Sequence, residues 1–114
     1  MAKPTGITFV AQYSGRVQVI VGFEASVAGS GSSDFGASTG YRIVLQEFSP
    51  AGVFIRDAVG PLKPVALARG KYMDLLTTTI TAGNTIKAGM SAQTGGNYDF
   101  TWYNVETRVE LLWK

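Results

Sequence analysis

From Gly15 to Val27, two classes of side chain take strict turns. Val17, Val19, Val21, Phe23, Ala25 and Val27 fall on one side, and Arg16, Gln18, Ile20, Gly22, Glu24 and Ser26 on the other. A period of two marks an extended strand with one face in a core and one outside it. The C-terminal block, Asp99 to Lys114, repeats the pattern. There Val105, Thr107, Val109, Leu111 and Trp113 oppose Glu106, Arg108 and Glu110, and just upstream Tyr98, Phe100 and Trp102 share a side. A C-terminal strand this apolar is expected to be tied into a sheet on both edges or to meet a partner subunit.

Weaker signals fill the space between. Ile7 to Gln12 is a short strand candidate closed by Ser14-Gly15, and Tyr41 to Phe48 alternates again. The turn residues Ser49-Pro50-Ala51-Gly52 predict a hairpin into Val53 to Ala58. Gly60, Pro61 and Pro64 predict an irregular stretch, and the Leu- and Thr-rich Lys71 to Thr81 predicts a strand that turns at Ala82-Gly83-Asn84 into Thr85 to Ser91. Gly29 to Gly40 and Thr94 to Asn97 have loop composition. No window carries a 3.6-residue apolar stripe. Seven to eight strands with turns roughly every 8 to 12 residues predict an all-β antiparallel sandwich of the jelly-roll kind.

Composition narrows the reading. A chain of 114 residues is expected to form one domain, residues 1–114. Hydrophobic residues make up 46% and charged residues 16%, too apolar for a disordered chain. The formal charge of +2 comes from basic residues scattered between Lys3 and Lys114, which points away from nucleic acid. There is no cysteine to form a disulfide and no histidine to act as the usual base or metal ligand. The first residues lack an apolar signal-peptide core and no run is long enough to span a membrane, so synthesis in the cytoplasm without membrane insertion is expected.

Three blocks carry a family resemblance. Gly15-Arg-Val-Gln-Val-Ile-Val-Gly-Phe-Glu-Ala-Ser-Val27, then Leu76-Thr-Thr-Thr-Ile-Thr-Ala-Gly83-Asn84-Thr-Ile-Lys-Ala88, then Tyr103-Asn-Val-Glu-Thr-Arg-Val-Glu-Leu-Leu-Trp113 resemble, in that order, strands of the tumour-necrosis-factor and complement-C1q-like jelly roll. Asn84 stands where the family usually has a turn Asp, and neither a stem nor a signal peptide is evident. The resemblance is therefore closer to the modules found in tailed-phage virion proteins than to a secreted cytokine. It implies that the strands at 15–27, 71–81 and 103–113 share one sheet whose outer surface meets two sister subunits around a threefold axis. On that surface it places Arg16, Ile20, Glu24, Arg108, Glu110 and Leu112.

Candidate chemistry is sparse. Gly36-Ala37-Ser38-Thr39-Gly40 matches a nucleophile-elbow pattern, but no histidine exists to activate Ser38. Glu47 and Asp57 near the hairpin, and Asp34, Asp74 and Asp99 in or beside loops, are scattered carboxylates rather than a catalytic pair or a metal site. Neither catalysis nor a cofactor is expected. Phe35, Tyr98, Trp102 and Tyr103 are the candidates for docking a sugar or a protein, with core packing the rival role for Trp102. Residues 1–7 are expected to be an extended arm in which Lys3 and Pro4 reach a neighbour. Three functions stay open: a homotrimeric phage capsid decoration or cement protein contacting the major capsid protein, a glycan-binding receptor tip of a tail fibre or baseplate, and a free lectin.

Overall fold

A computed structural model describes the backbone of residues 5–29, 40–65, 69–93 and 98–113, with side chains over 6–26, 40–65, 70–93 and 101–112. Eight strands run β1 (Thr5–Val10), β2 (Gly15–Gly29), β3 (Gly40–Phe48), β4 (Phe54–Val59), β5 (Lys63–Pro64), β6 (Arg69–Ile80), β7 (Thr85–Gln93) and β8 (Tyr98–Trp113). They form two antiparallel sheets. One has the order β1-β7-β3-β4 with β5 also on β3, and the other has the order β6-β2-β8. The chain is thus an all-β sandwich. The three strands that the resemblance groups together are the three of the smaller sheet, while the stretch read as irregular holds the short β5.

The alternation in β2 explains the core. Val17, Val19, Val21, Phe23 and Ala25 are buried, and across the gap they meet Ile43 and Leu45 of β3 and Ile86, Ala88 and Met90 of β7. Burying each large aliphatic side chain contributes about 1.5–3 kcal/mol, enough for this layer to hold the sheets face to face. From β8, Val105 and Val109 pack against the same cluster. Edge-to-face and stacked contacts among Phe23, Tyr41 and Tyr72 fill one end, with ring centroids 4.9 and 5.5 Å from Phe23.

Turns are set locally. Gly52 closes the β3–β4 hairpin with φ 87°, and Gly83 closes the β6–β7 turn with φ 90°, a backbone region that side chains disfavour. The β6–β7 turn is also tied to the β1–β2 connection, since Ala11 N–H donates to the Asn84 carbonyl, Gly83 N–H to the Ala11 carbonyl and Ala82 N–H to Ser14 Oγ.

Two irregularities re-phase β8. Its register on β2 shifts between Gly22 and Glu24 and again between Arg16 and Val17. At the first shift Asn104 adopts φ 53°, a left-handed conformation that suits an Asn in a bulge, and its amide donates to Glu24. The bulge reconciles two patterns that are out of phase in the sequence. Trp102 lies opposite buried Ala25, while Thr107, Val109 and Leu111 lie opposite buried Val21, Val19 and Val17, so all four are on the core-facing side. The second shift corrects the placement of Trp113 beside Leu111, because Trp113 pairs with Arg16 and Leu112 is the extra residue.

Replacing Asn104 tests the bulge. Asn104→Val is expected to destabilise by about 1–2 kcal/mol through a left-handed β-branched residue, whereas Asn104→Gly stays within about 0.5 kcal/mol. Urea midpoints of both variants check this, and equal losses would contradict it.

Candidate functional site

The two flanks of the sandwich differ in kind. On the flank formed by β3, β4, β5 and β6, one ion pair and a hydrogen-bonded network around a buried carboxylate join the sheets. Glu47 of β3 is 2% exposed and points inward. Its Oε1 lies 3.0 Å from Arg56 Nε on β4, and its Oε2 accepts from Thr81 N–H at 3.0 Å and Asn84 Nδ2 at 2.8 Å. Arg56 also donates to Thr78 Oγ1 on β6 at 3.4 Å. A buried carboxylate costs several kcal/mol unless paired and hydrogen-bonded, and here both oxygens are satisfied. Nearby, Lys63 of β5 reaches Asp74 of β6 at 2.8 Å. These two contacts fasten the sheets together along β6.

This arrangement corrects two sequence readings. Glu47, read as one of the scattered carboxylates, is buried and pairs inward with Arg56, while the exposed Asp57 sits opposite Gln46 one position along. Asp74 lies within strand β6 rather than in or beside a loop, and Asp99 is the second residue of β8. Among the described residues, no three His, Cys, Asp or Glu side chains gather where a metal ion would bind. The role of Glu47 was legible only in part, because its inward parity with Tyr41, Ile43 and Leu45 is visible in the sequence while its four-element network is not.

On the opposite flank, where β1 and β8 run alongside each other, there is an apolar groove of about 290 Å³. Phe9, Ala11 and Tyr13 line one wall, and Val17, Val109 and Leu111 line the other. An apolar groove beside a strand suits the side chains of another strand.

The third surface is the outer face of β6-β2-β8. The register places Leu75, Ile20 and Arg108 in one row, Met73, Gly22 and Glu106 in the next, and Thr77, Gln18 and Glu110 in a third. Lys71, Glu24 and Tyr103 form a fourth. Met73 and Leu75 are 76% and 54% exposed, and Arg108 lies 3.8 Å from Glu110. Arg16, Ile20, Glu24, Arg108 and Glu110 therefore share one face, and Leu112 sits in the bulge at its end. Met73 and Leu75 were not singled out in the sequence. Their signal is two apolar residues on the outward parity of a Thr-rich strand.

The aromatic candidates do not form one platform. Trp102 takes the core-facing side and is 40% exposed, while Tyr103, opposite Glu24, takes the outer face. Lys3, Pro4 and Phe35, the Ser38 motif, Asp34 and the side chain of Tyr98 lie outside the described residues. No protein-family model and no curated protein sequence matches this chain.

Two predictions follow from the clamped flank. Glu47→Ala is expected to cost about 2 kcal/mol, lowering Tm by roughly 8 °C, because the Arg56 and Asn84 side chains and Thr81 N–H lose their acceptor. Calorimetry against Glu110→Gln, expected within about 0.5 kcal/mol, checks it, and equal Tm values would contradict it. Burial, with smaller contributions from Asp74 and Tyr72, raises the Tyr41 phenol above its ordinary value of 10. The unfolded chain then loses this proton first as pH rises, so the stability from neutral Tyr41 is complete below about pH 10 and declines above it. Urea unfolding from pH 8 to 11 is expected to show that decline, and Tyr41→Phe to flatten it. An unchanged slope in Tyr41→Phe would refute the assignment.

Proposed function

We propose that this protein is a non-enzymatic virion structural protein, a capsid decoration or cement protein acting as a homotrimer with a TNF/C1q-like jelly-roll fold. The observation that carries this reading is the outer face of β6-β2-β8. Met73 and Leu75 stand exposed beside Ile20, and Arg16, Glu24, Arg108 and Glu110 surround them with charges of both signs. Apolar contact area ringed by Arg and Glu is the make-up of a protein interface rather than of a solvated sheet. Closed cyclic symmetry is the common way to satisfy such a face with copies of one chain.

Strand order supports the jelly-roll assignment. The antiparallel pairs nest, with β3–β4 inside β2–β6 and β2–β6 inside β1–β7. A nested antiparallel ribbon folded over on itself yields two facing sheets of this kind. On a virion, the exposed face would hold the trimer together, and since residues 5–7 are paired in β1 rather than free as an arm, it would be the residues ahead of β1, Lys3 and Pro4 among them, that reach the major capsid protein. A receptor-binding role, on a tail fibre or baseplate, draws support from one residue, the 40% exposed Trp102.

Removing the apolar contact tests the trimer. Leu75→Glu is expected to reduce the sedimenting species to one third of its mass while leaving the far-ultraviolet spectrum unchanged. Particles assembled without the protein are expected to lose heat resistance, and particles of unchanged resistance would count against a cementing role. Binding of the isolated protein to glycans, abolished by Trp102→Ala, would favour the receptor role instead.

A further inference from the structure

β8 pairs with β2 along one edge, and among the described residues no strand pairs with its other edge. That edge borders the apolar groove between β1 and β8. An open edge beside an apolar groove is the geometry of strand addition, in which backbone amides give affinity and alternate side chains fill the groove.

β8 carries one sign of what fills it. Glu106, exposed on the outer face, pairs with no cation among the described residues. We propose that the free edge of β8 pairs antiparallel with the same edge of a second copy, on a twofold axis through Thr107.

Register follows from parity and charge. Directly opposed residues must share a face, so the axis passes through a residue and inward positions meet inward positions. An axis at Glu106 or Arg108 sets like charges against each other. An axis at Val109 pairs Arg108 with Glu110 of the second copy but brings no cation opposite Glu106. Of these, only the axis at Thr107 sets Glu106 against a cation. It sets Glu106 opposite Arg108 twice, Val105 opposite Val109 twice and Thr107 opposite itself. The ladder spans residues 105–109, stopping short of the Asn104 bulge in each copy. It makes one continuous six-stranded sheet and brings the two grooves together on the axis.

This contact uses the edge of β8 and does not rest on the trimer proposed above. A closed assembly in which the twofold lies perpendicular to a threefold has the mass of six chains, and a protein making only the edge contact has the mass of two.

The chain contains no cysteine, so single cysteines report the register directly. Directly opposed positions lie within disulfide range, roughly 4.5–5.5 Å between Cα atoms. Thr107→Cys, treated with copper phenanthroline and run on a non-reducing gel, is expected to become predominantly a cross-linked dimer, while Val109→Cys and Leu112→Cys stay largely monomeric. Charge reversal is the second measurement. Glu106→Arg and Arg108→Glu are each expected to weaken the edge contact at least about tenfold, and an equimolar mixture of the two restores it as a heterodimer. Preferential cross-linking at Val109 would overturn the register. Cross-linking at none of the three, with no effect of either charge reversal on mass, would mean that the groove is covered by this chain's own residues or by another partner, and would overturn the proposal.

Discussion

A carboxylate buried between the sheets decides which flank of this sandwich is closed. Glu47 gathers Arg56 from β4, the Thr81 amide and the Asn84 amide group from the β6–β7 connection, and through Arg56 it reaches Thr78 of β6. With Lys63 and Asp74 alongside, it fixes β6 against β4 and β5. The β6–β7 turn held in this way is the same turn that the β1–β2 connection bonds to. One flank is therefore closed by charge, and the apolar layer from β2, β3 and β7 holds the middle. On the other flank β1 and β8 leave an apolar groove.

The period-two pattern made most of the fold legible. β2 and β3 read directly, because every inward position is apolar except Glu47 and one face of each strand is in the core. The β3–β4 and β6–β7 turns followed from Gly52 and Gly83. What the pattern hid was phase. Tyr98, Phe100 and Trp102 sit on even positions and Val105 to Leu111 on odd ones, and nothing local says that a left-handed Asn104 brings Trp102 and the odd set to one side. The same limit misplaced Trp113, since a second extra residue at Leu112 is a property of the pairing with β2 and not of β8 alone.

The candidate surfaces were legible in a similar measure. Outward parity placed Arg16, Ile20, Glu24, Arg108 and Glu110 on one face, and the register keeps them there. It did not bring in Met73 and Leu75, because exposure of an apolar residue depends on what the rest of the chain covers. Trp102 and Tyr103, adjacent in sequence, were grouped by chemistry alone, and strand geometry separates them. Side chains meeting across distant elements, as Glu47 does, are the part that a single sequence conveys least.

The proposal drawn from these two flanks is that association completes the open one. Amide hydrogen exchange of the unaltered protein, followed over a dilution series together with its mass by light scattering, tests this most directly. The account predicts that β8 amides over residues 105–109 are protected while the mass exceeds one chain, and that protection of those directed away from β2 is lost as dilution brings the mass down to one. A single-chain mass at every concentration, with β8 exchange independent of dilution, would contradict it.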